Sequence, residues 1–151
     1  YPEYAGSPFN DMFAFILTDV ATGEAQNLAV IPNTTIPVMV NTLNHRTYAD
    51  FYIDNTMKKQ SGYGVQYDGL TQPLLAYAAV EPGKKYHIKM VIADVGDDAL
   101  DSGVFIKGHS FGSVVAEEFF EENKAYFQTF AKWRPSKPTL LHAKRGTRKR
   151  N

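Results

Sequence analysis

The sequence predicts an all-β chain, an antiparallel β-sandwich of jelly-roll type with about eight to ten strands. Short runs rich in β-branched and aromatic residues recur roughly every 8–15 residues before position 112, and turn residues separate them. No helical pattern lies between these runs, which argues against a parallel α/β fold. After position 112 a helical period begins, and a basic segment follows it. We therefore expect a sandwich domain at 1–112, an amphipathic helix packed on it at 113–133, and an extended basic tail at 134–151.

The strands differ in how clearly the sequence marks them. The clearest is 85–93, where apolar side chains at 86, 88, 90 and 92 alternate with His87 and Lys89. Pro73 places the run at 71–80 at a sheet edge or a strand start, because proline cannot donate a backbone hydrogen bond. The other expected strands are 13–17, 27–31, 36–40, 48–53 and 103–111.

The helix is predicted from its aromatic repeat and its acidic first turns. Phe119, Phe120, Phe127 and Phe130 recur near the period of 3.6 residues. Four glutamates between 117 and 122 suit the positive end of the helix dipole. Two prolines, at 135 and 138, end the pattern.

Composition excludes several classes of protein. A hydrophobic fraction of 44% with 21% charged residues excludes disordered and collagen-like chains. The chain has no cysteine, which excludes a disulfide framework, thiol catalysis and cysteine-bound zinc. No apolar run approaches the ~18 residues of a membrane-spanning helix, so we expect no transmembrane segment.

The net charge of zero conceals a strong asymmetry. Residues 1–131 hold all 16 acids and 8 of the 16 cations, so this part carries a net charge of −8. The tail could bind an anionic surface, nucleic acid, or the acidic body of a neighbouring copy. Trp133, where the tail begins, is its only aromatic residue that could stack on bases, and this argues against nucleic-acid binding. A solvated terminus is the simpler alternative. The eight cations of this partner-binding tail are Lys132, Arg134, Lys137, Lys144, Arg145, Arg148, Lys149 and Arg150.

A cluster of aspartates is the candidate metal site. Calcium takes six to eight hard oxygen ligands, and aspartates along a glycine-containing loop can supply them. The spacing is not that of an EF-hand. Asp11 would join the cluster if the first and last strands pair. The alternative is an exposed acidic turn whose Asp94 and Asp101 accept backbone hydrogen bonds. The candidate ligands of calcium, the one expected cofactor, are Asp94, Asp97, Asp98, Asp101 and Asp11.

A second group combines asparagines, aspartates and tyrosines on the predicted loops. Such side chains donate and accept hydrogen bonds beside aromatic faces, as sites for sugars do. The alternative is that the asparagines are turn residues and the tyrosines are half-buried. The candidate ligand-binding residues are Asn41, Asn44, Tyr52, Asp54, Asn55, Tyr67 and Asp68.

Catalysis has little support in the sequence. Two carboxylates such as Asp94 and Asp101 could serve glycoside hydrolysis, but no apolar pocket is predicted to raise the pKa of either. The four histidines are scattered, and Ser110 lacks the strand-turn-helix context of a nucleophile elbow. We expect no enzymatic activity.

The order of short motifs along the chain resembles the choice-of-anchor L family of extracellular β-domains, common in large surface proteins of Bacteroidota. The resemblance covers roughly residues 8 to 111. It implies secretion and a place in cell-surface or adhesive proteins, and it implies no enzyme. The motifs are NDMFAF at 10–15, NLAVIPNT at 27–34, PVMVNTLN at 37–44, YIDN at 52–55, QYDGLT at 66–71, PGKKYHIK at 82–89, IADVGD at 92–97, DSGVFI at 101–106 and SF at 110–111.

From these observations we expect a non-catalytic, extracellular or cell-surface module that is structural or adhesive. Its partners would be other subunits or copies of itself, with the basic tail docking on a neighbour. Family domains usually lie in much longer chains with a sorting module, whereas a helix and a basic tail follow here, which favours a small component of an assembly. The alternative is a carbohydrate-binding module that uses the Asn/Tyr loops to bind a surface glycan.

Overall fold

The computed structural model describes residues 1–57, 61–114 and 116–125. Antiparallel strands make up most of the regular structure of this part, and helix is sparse, which confirms the prediction of an all-β chain. Single 3-10 turns lie at Pro2–Tyr4 and Ala49–Phe51. The strands are β1 (Met12–Asp19), β2 (Ala25–Asn27), β3 (Tyr52–Asp54), β4 (Gly69–Thr71) and β5 (Tyr86–Ala93), and an α-helix, α1, spans Ala116–Glu122.

Three strands form the larger sheet, in the order β2-β1-β5. β1 pairs with β5 over its full length, with Met12 opposite Ala93 and Asp19 opposite Tyr86. Both strands are eight residues long and rich in β-branched and aromatic side chains, which favours this extended pairing. As a result, the residues before β1 and the residues after β5 lie at the same end of the sheet.

The β1–β2 hairpin is fixed by one aspartate and one glycine. The carboxylate of Asp19 accepts hydrogen bonds from the amides of Ala21 at 2.8 Å and Thr22 at 3.3 Å. Gly23 has φ of 76°, a conformation that glycine adopts without steric cost. The Ala21 amide, and then Thr22 and the Lys84 ammonium, lower the pKa of Asp19 below its usual value.

The second sheet pairs β3 with β4, and Asp54 lies opposite Gly69. The main core cluster adjoins it and is built by the segments between strands: Ile31, Leu43 and Phe51 are almost completely buried. Partly buried side chains packed against this cluster are Ile36, Val38, Tyr48, Tyr52 and Leu74. The largest buried cluster therefore lies under loops and the short sheet.

Five of the seven expected strands are much shorter than predicted, or absent, in the described chain. Of the run at 27–31 only residue 27 lies in β2, and of the run at 48–53 only residues 52 and 53 lie in β3. The run at 36–40 makes only isolated bridges, Val30 to Pro37 and Met12 to Met39. The run at 71–80 is a strand only up to Thr71, before the proline that removes a donor. The run at 103–111 is not a strand, and His109 within it has φ of 57°, which breaks an extended conformation.

The helix lies inside its predicted range and is shorter than that range in the described residues. Beyond Glu122, the side chain of Asn123 donates to the carbonyl oxygen of Phe119 at 2.8 Å, and its backbone amide donates to the same oxygen at 3.1 Å. Both bonds satisfy a carbonyl at the end of the helix. The rest of the predicted helix, 126–133, and the basic tail, 134–151, lie outside the described residues.

Candidate functional site

The acidic loop, residues 94–102, follows β5 at the end of the three-stranded sheet. Because Met12 pairs with Ala93, the flanking residues Asp11 and Asp94 lie at the same end of the β1–β5 pair. The structure thus brings the first strand of the chain to the acidic loop, with β5 as its partner. The segment 103–111, expected to be the last strand, does not take this place.

Asp11 fastens the two ends of the acidic loop to β1. One carboxylate oxygen accepts a hydrogen bond from the backbone amide of Val95 at 3.0 Å. The other accepts a hydrogen bond from the hydroxyl of Ser102 at 2.7 Å. Sequence reasoning missed Ser102, because a contact between residues 91 positions apart leaves no local pattern. Asp11 therefore organises the loop through hydrogen bonds made within the chain.

Asp94 experiences the accumulated negative charge of the loop. Desolvation, followed by repulsion from Asp11, Asp101, Asp97 and Asp98, raises the pKa of the Asp94 carboxyl above its usual value. A nearby positive charge would relieve this repulsion. The loop is therefore a region of negative potential that favours a cationic partner.

The hydrogen bonds inside the loop resemble those of an acidic turn. Asp97 accepts a hydrogen bond from the amide of Ala99 at 3.3 Å, two residues ahead. The backbone hydrogen bonds expected of Asp94 and Asp101 are made instead by Asp97 and Asp11. Within residues 1–57, 61–114 and 116–125, no group of three or more His, Asp or Glu side chains is arranged to hold a metal ion.

An open pocket lies beside the acidic loop. The rings of Tyr4 and Phe9 meet edge to face in its wall, with centroids 5.5 Å apart. Gly96 lies close to this wall, since a Cβ there would approach the ring of Phe9 to 2.8 Å. No motif in the sequence indicated this juxtaposition. The pocket is lined by Tyr1, Tyr4, Phe9, Asp11, Val40, Asp97, Ala99, Leu100 and Ser102.

Asn55 of the second candidate group is fully buried. Its side-chain amide donates to the carbonyl of Tyr67 at 2.6 Å and to that of Val65 at 3.3 Å. Its side-chain oxygen accepts a hydrogen bond from the hydroxyl of Ser61. The backbone amide of Asn55 donates to the carbonyl of Asp68 at 2.8 Å. Asn55 therefore joins the end of β3 to the loop before β4.

Asn41 and Asn44 make similar bonds in the preceding segments. The Asn44 side chain, 5% exposed, donates to the carbonyl of Val40 and accepts from the amides of Arg46 and Thr47. The Asn41 side chain binds the backbone of residues 6 and 7 near the N-terminus. In this structure the polar groups of both asparagines are bonded within the chain.

Tyr52 and its neighbours form the more accessible part of this group. The ring of the exposed His45 lies 6.1 Å from that of Tyr52. Asp54 accepts from the hydroxyl of Thr56 at 2.6 Å and from its amide at 2.9 Å, and these bonds lower the pKa of its carboxyl. Desolvation and the charges of Asp54, Asp68 and Glu3 raise the pKa of the Tyr52 hydroxyl.

Tyr67 faces away from this surface, toward the segment after the acidic loop. Its ring meets that of Phe105 at 6.2 Å, and a Cβ on Gly103 would lie 2.7 Å from its Cζ. The structure therefore brings Tyr52, Asp54, Asn55 and Asp68 together across the β3–β4 pair, while the Tyr67 ring packs elsewhere. The eight tail cations lie outside the described residues.

Comparison with known families decides the classification of the chain. The model of the choice-of-anchor L domain matches residues 1–112. The chain belongs to the choice-of-anchor L family. No curated protein and no solved structure matches the sequence.

Membership of the choice-of-anchor L family indicates a protein associated with the cell surface or the extracellular space. The match covers the whole predicted β-domain and ends before α1, so the acidic loop and the second candidate group of asparagines, aspartates and tyrosines lie within the family domain. No helix in the described part of the chain is long and apolar enough to cross a bilayer.

Proposed function

We propose that this choice-of-anchor L chain is a non-catalytic structural or adhesive module of an extracellular assembly, and that its basic tail docks on the acidic body of a neighbouring copy. The observation that carries the proposal is the charge division: residues 1–131 carry −8, and the last twenty residues hold eight cations and no acid. The family domain supports the surface location. In this proposal the strands of the family domain form a sandwich of jelly-roll type.

The acidic loop is the docking site that the electrostatics favour. Four aspartates within eight residues repel one another there, and desolvation together with that repulsion raises the pKa of Asp94. A single exposed ion pair contributes little to stability, so several tail cations have to engage the loop together to stabilise a contact. Salt at ~0.5 M reduces the Debye length to roughly 4 Å and should weaken it.

Sedimentation velocity of the full chain at ~50 and ~500 mM salt tests the proposal. We expect species larger than a monomer at low salt and their dissociation at high salt. The matched control is a full-length chain with the six cations at 137–150 replaced by glutamine, which should stay monomeric in both buffers. A wild-type chain that is monomeric at low salt, at tens of micromolar, would refute tail docking.

Calcium is the cofactor proposed for the acidic loop. Its binding would neutralise part of the repulsion and stiffen the loop, which raises the melting temperature through mass action. The measurement is the melting temperature with millimolar calcium and with chelator, for wild type and for Asp97→Asn with Asp98→Asn. A calcium shift of equal size in both proteins would place the ion elsewhere.

Carbohydrate binding is the second candidate, favoured by the group around Tyr52. An aromatic ring beside the exposed His45 and Asp54 offers a stacking face with polar neighbours. Binding to a glycan array would be the first test. Loss of binding in Tyr52→Ala, with binding kept in Tyr63→Ala, an exposed tyrosine elsewhere, would support this function over tail docking.

A further inference from the structure

The outer strand of the larger sheet carries an exposed apolar row, which we call the β5 face. Its residues are Ile88, Met90 and Ile92, which are 45%, 46% and 48% exposed. Such a row on a fully formed strand of eight residues is unusual for a solvated surface. In contrast, Leu17, which lies opposite Ile88 on β1, is buried.

The β5 face continues into a larger apolar surface. Phe13 lies opposite Ile92, and Phe15 lies opposite Met90, so these side chains share one face of the sheet. Phe111 returns to this face and packs against Phe15, with ring centroids 5.8 Å apart. Among the described residues no strand pairs with the outer edge of β5. An open edge with an apolar face is where further chain is expected to pack.

We propose that residues 126–133 of the same chain cover the β5 face. Four of these eight residues are aromatic: Tyr126, Phe127, Phe130 and Trp133. Aromatic side chains provide large apolar areas for burial. The proposal concerns packing within one chain and holds whether or not the tail docks on a neighbour.

The length of the segment fits the length of the row. Ile88 and Ile92 are four residues apart on a strand, so their side chains span roughly 13 Å. Eight residues span about 12 Å as a helix and up to ~26 Å when extended. The chain already passes over this sheet face at Phe111, and the described residues continue to Ala125.

Charge complementarity favours one direction for the segment in this proposal. Two cations, Lys132 and Arg134, flank Trp133, and Asp94 follows the Ile92 end of the row after one residue. We therefore expect Trp133 at the Ile92 end, where its basic neighbours would approach the acidic loop. In this direction the six remaining tail cations emerge beside the loop.

Trp133 is the only tryptophan of the chain, so its fluorescence reports this contact directly. The full chain is studied at micromolar concentration and ~500 mM salt, where tail docking between copies is screened. We expect Trp133 to be blue-shifted and protected from acrylamide. Met90→Asp should shift the emission to the red and remove the protection. Met57→Asp, at a methionine that is 65% exposed elsewhere, should change neither.

A second measurement leaves the sequence of β5 unchanged. With methyl-labelled methionines, Trp133→Leu should shift the Met90 methyl resonance and leave that of Met57 unchanged, since the proposal puts Trp133 beside Ile92 and its neighbour Met90. The proposal is overturned if native Trp133 is quenched as strongly as in urea, or if Trp133→Leu leaves the Met90 resonance in place. Protection that disappears on dilution would assign the cover to a second copy and would also overturn it. If the protein assembles in a salt-sensitive way while Trp133 is exposed, the covering of the β5 face is refuted and the docking of the tail on a neighbour is not.

Discussion

Replacing Asn55 by alanine removes a buried carboxamide that holds the β3 end to the loop before β4. The side-chain amide donates to Tyr67 at 2.6 Å and to Val65 at 3.3 Å, and the residue has no exposed surface. A buried carbonyl left without its donor costs about 1–3 kcal/mol, and the small cavity adds ~1 kcal/mol. We expect Asn55→Ala to lower the free energy of unfolding by about 2–4 kcal/mol.

Urea denaturation followed by circular dichroism measures this change, and thermal melting provides a check. For a chain of this size a loss of about 3 kcal/mol lowers the melting temperature by roughly 6–12 °C. Gln66→Ala, an exposed amide in the same loop, is the control and should stay within about 0.5 kcal/mol of wild type. An Asn55→Ala protein as stable as this control would refute the bonding described here and would leave the amide available to a ligand.

Two further predictions concern charge and packing. Because the folded pKa of Asp94 is raised and that of Asp19 is lowered, Asp94→Asn should raise the melting temperature at pH 7 and Asp19→Asn should lower it. The difference in melting temperature between each variant and wild type should fade as the pH falls through the range in which carboxyl groups titrate. A series of melting curves at different pH measures this, and a change of the same sign in both variants would contradict the prediction. In Gly69→Ala, the new Cβ would lie 2.8 Å from a ring carbon of Tyr52, so we expect a loss of about 1–3 kcal/mol in urea denaturation. Gly64→Ala has open space and should be neutral or slightly stabilising, and equal losses in both would contradict the Tyr52 contact.

The family could be predicted from the order of short motifs along the chain. The all-β class could be predicted because strand-like runs recur at short intervals between turn residues. β5 was predicted to within one residue, and the inner part of β1 was predicted as 13–17, since β-branched and aromatic residues occupy four of the eight positions in each strand. The runs at 36–40 and 103–111 have similar composition but form no strand in the described chain. Prolines, glycines and the positive φ of His109 favour turns in these two runs. The β-strand propensity of the residues alone does not predict this effect.

The candidate site shows what local sequence cannot supply. An asparagine after a strand resembles an exposed turn residue, whereas Asn55 is buried and bonded to the backbone ten and twelve residues ahead. The contact of Asp11 with the acidic loop depended on which strands pair, and alternation does not fix that. The aromatic wall of the pocket joins residues near the N-terminus to a loop about ninety positions later, so no spacing rule could reveal it.

The most direct test of the account mixes two defective chains. One has the tail cations at 137–150 replaced by glutamine, and the other has Asp97, Asp98 and Asp101 of the acidic loop replaced by asparagine. At ~50 mM salt each alone should sediment as a monomer, because each lacks one half of the contact. An equimolar mixture should form a heterodimer through the intact tail of one chain and the intact loop of the other. If the tail variant assembles by itself, or if the mixture stays monomeric while wild type assembles, docking of the basic tail on the acidic loop is contradicted.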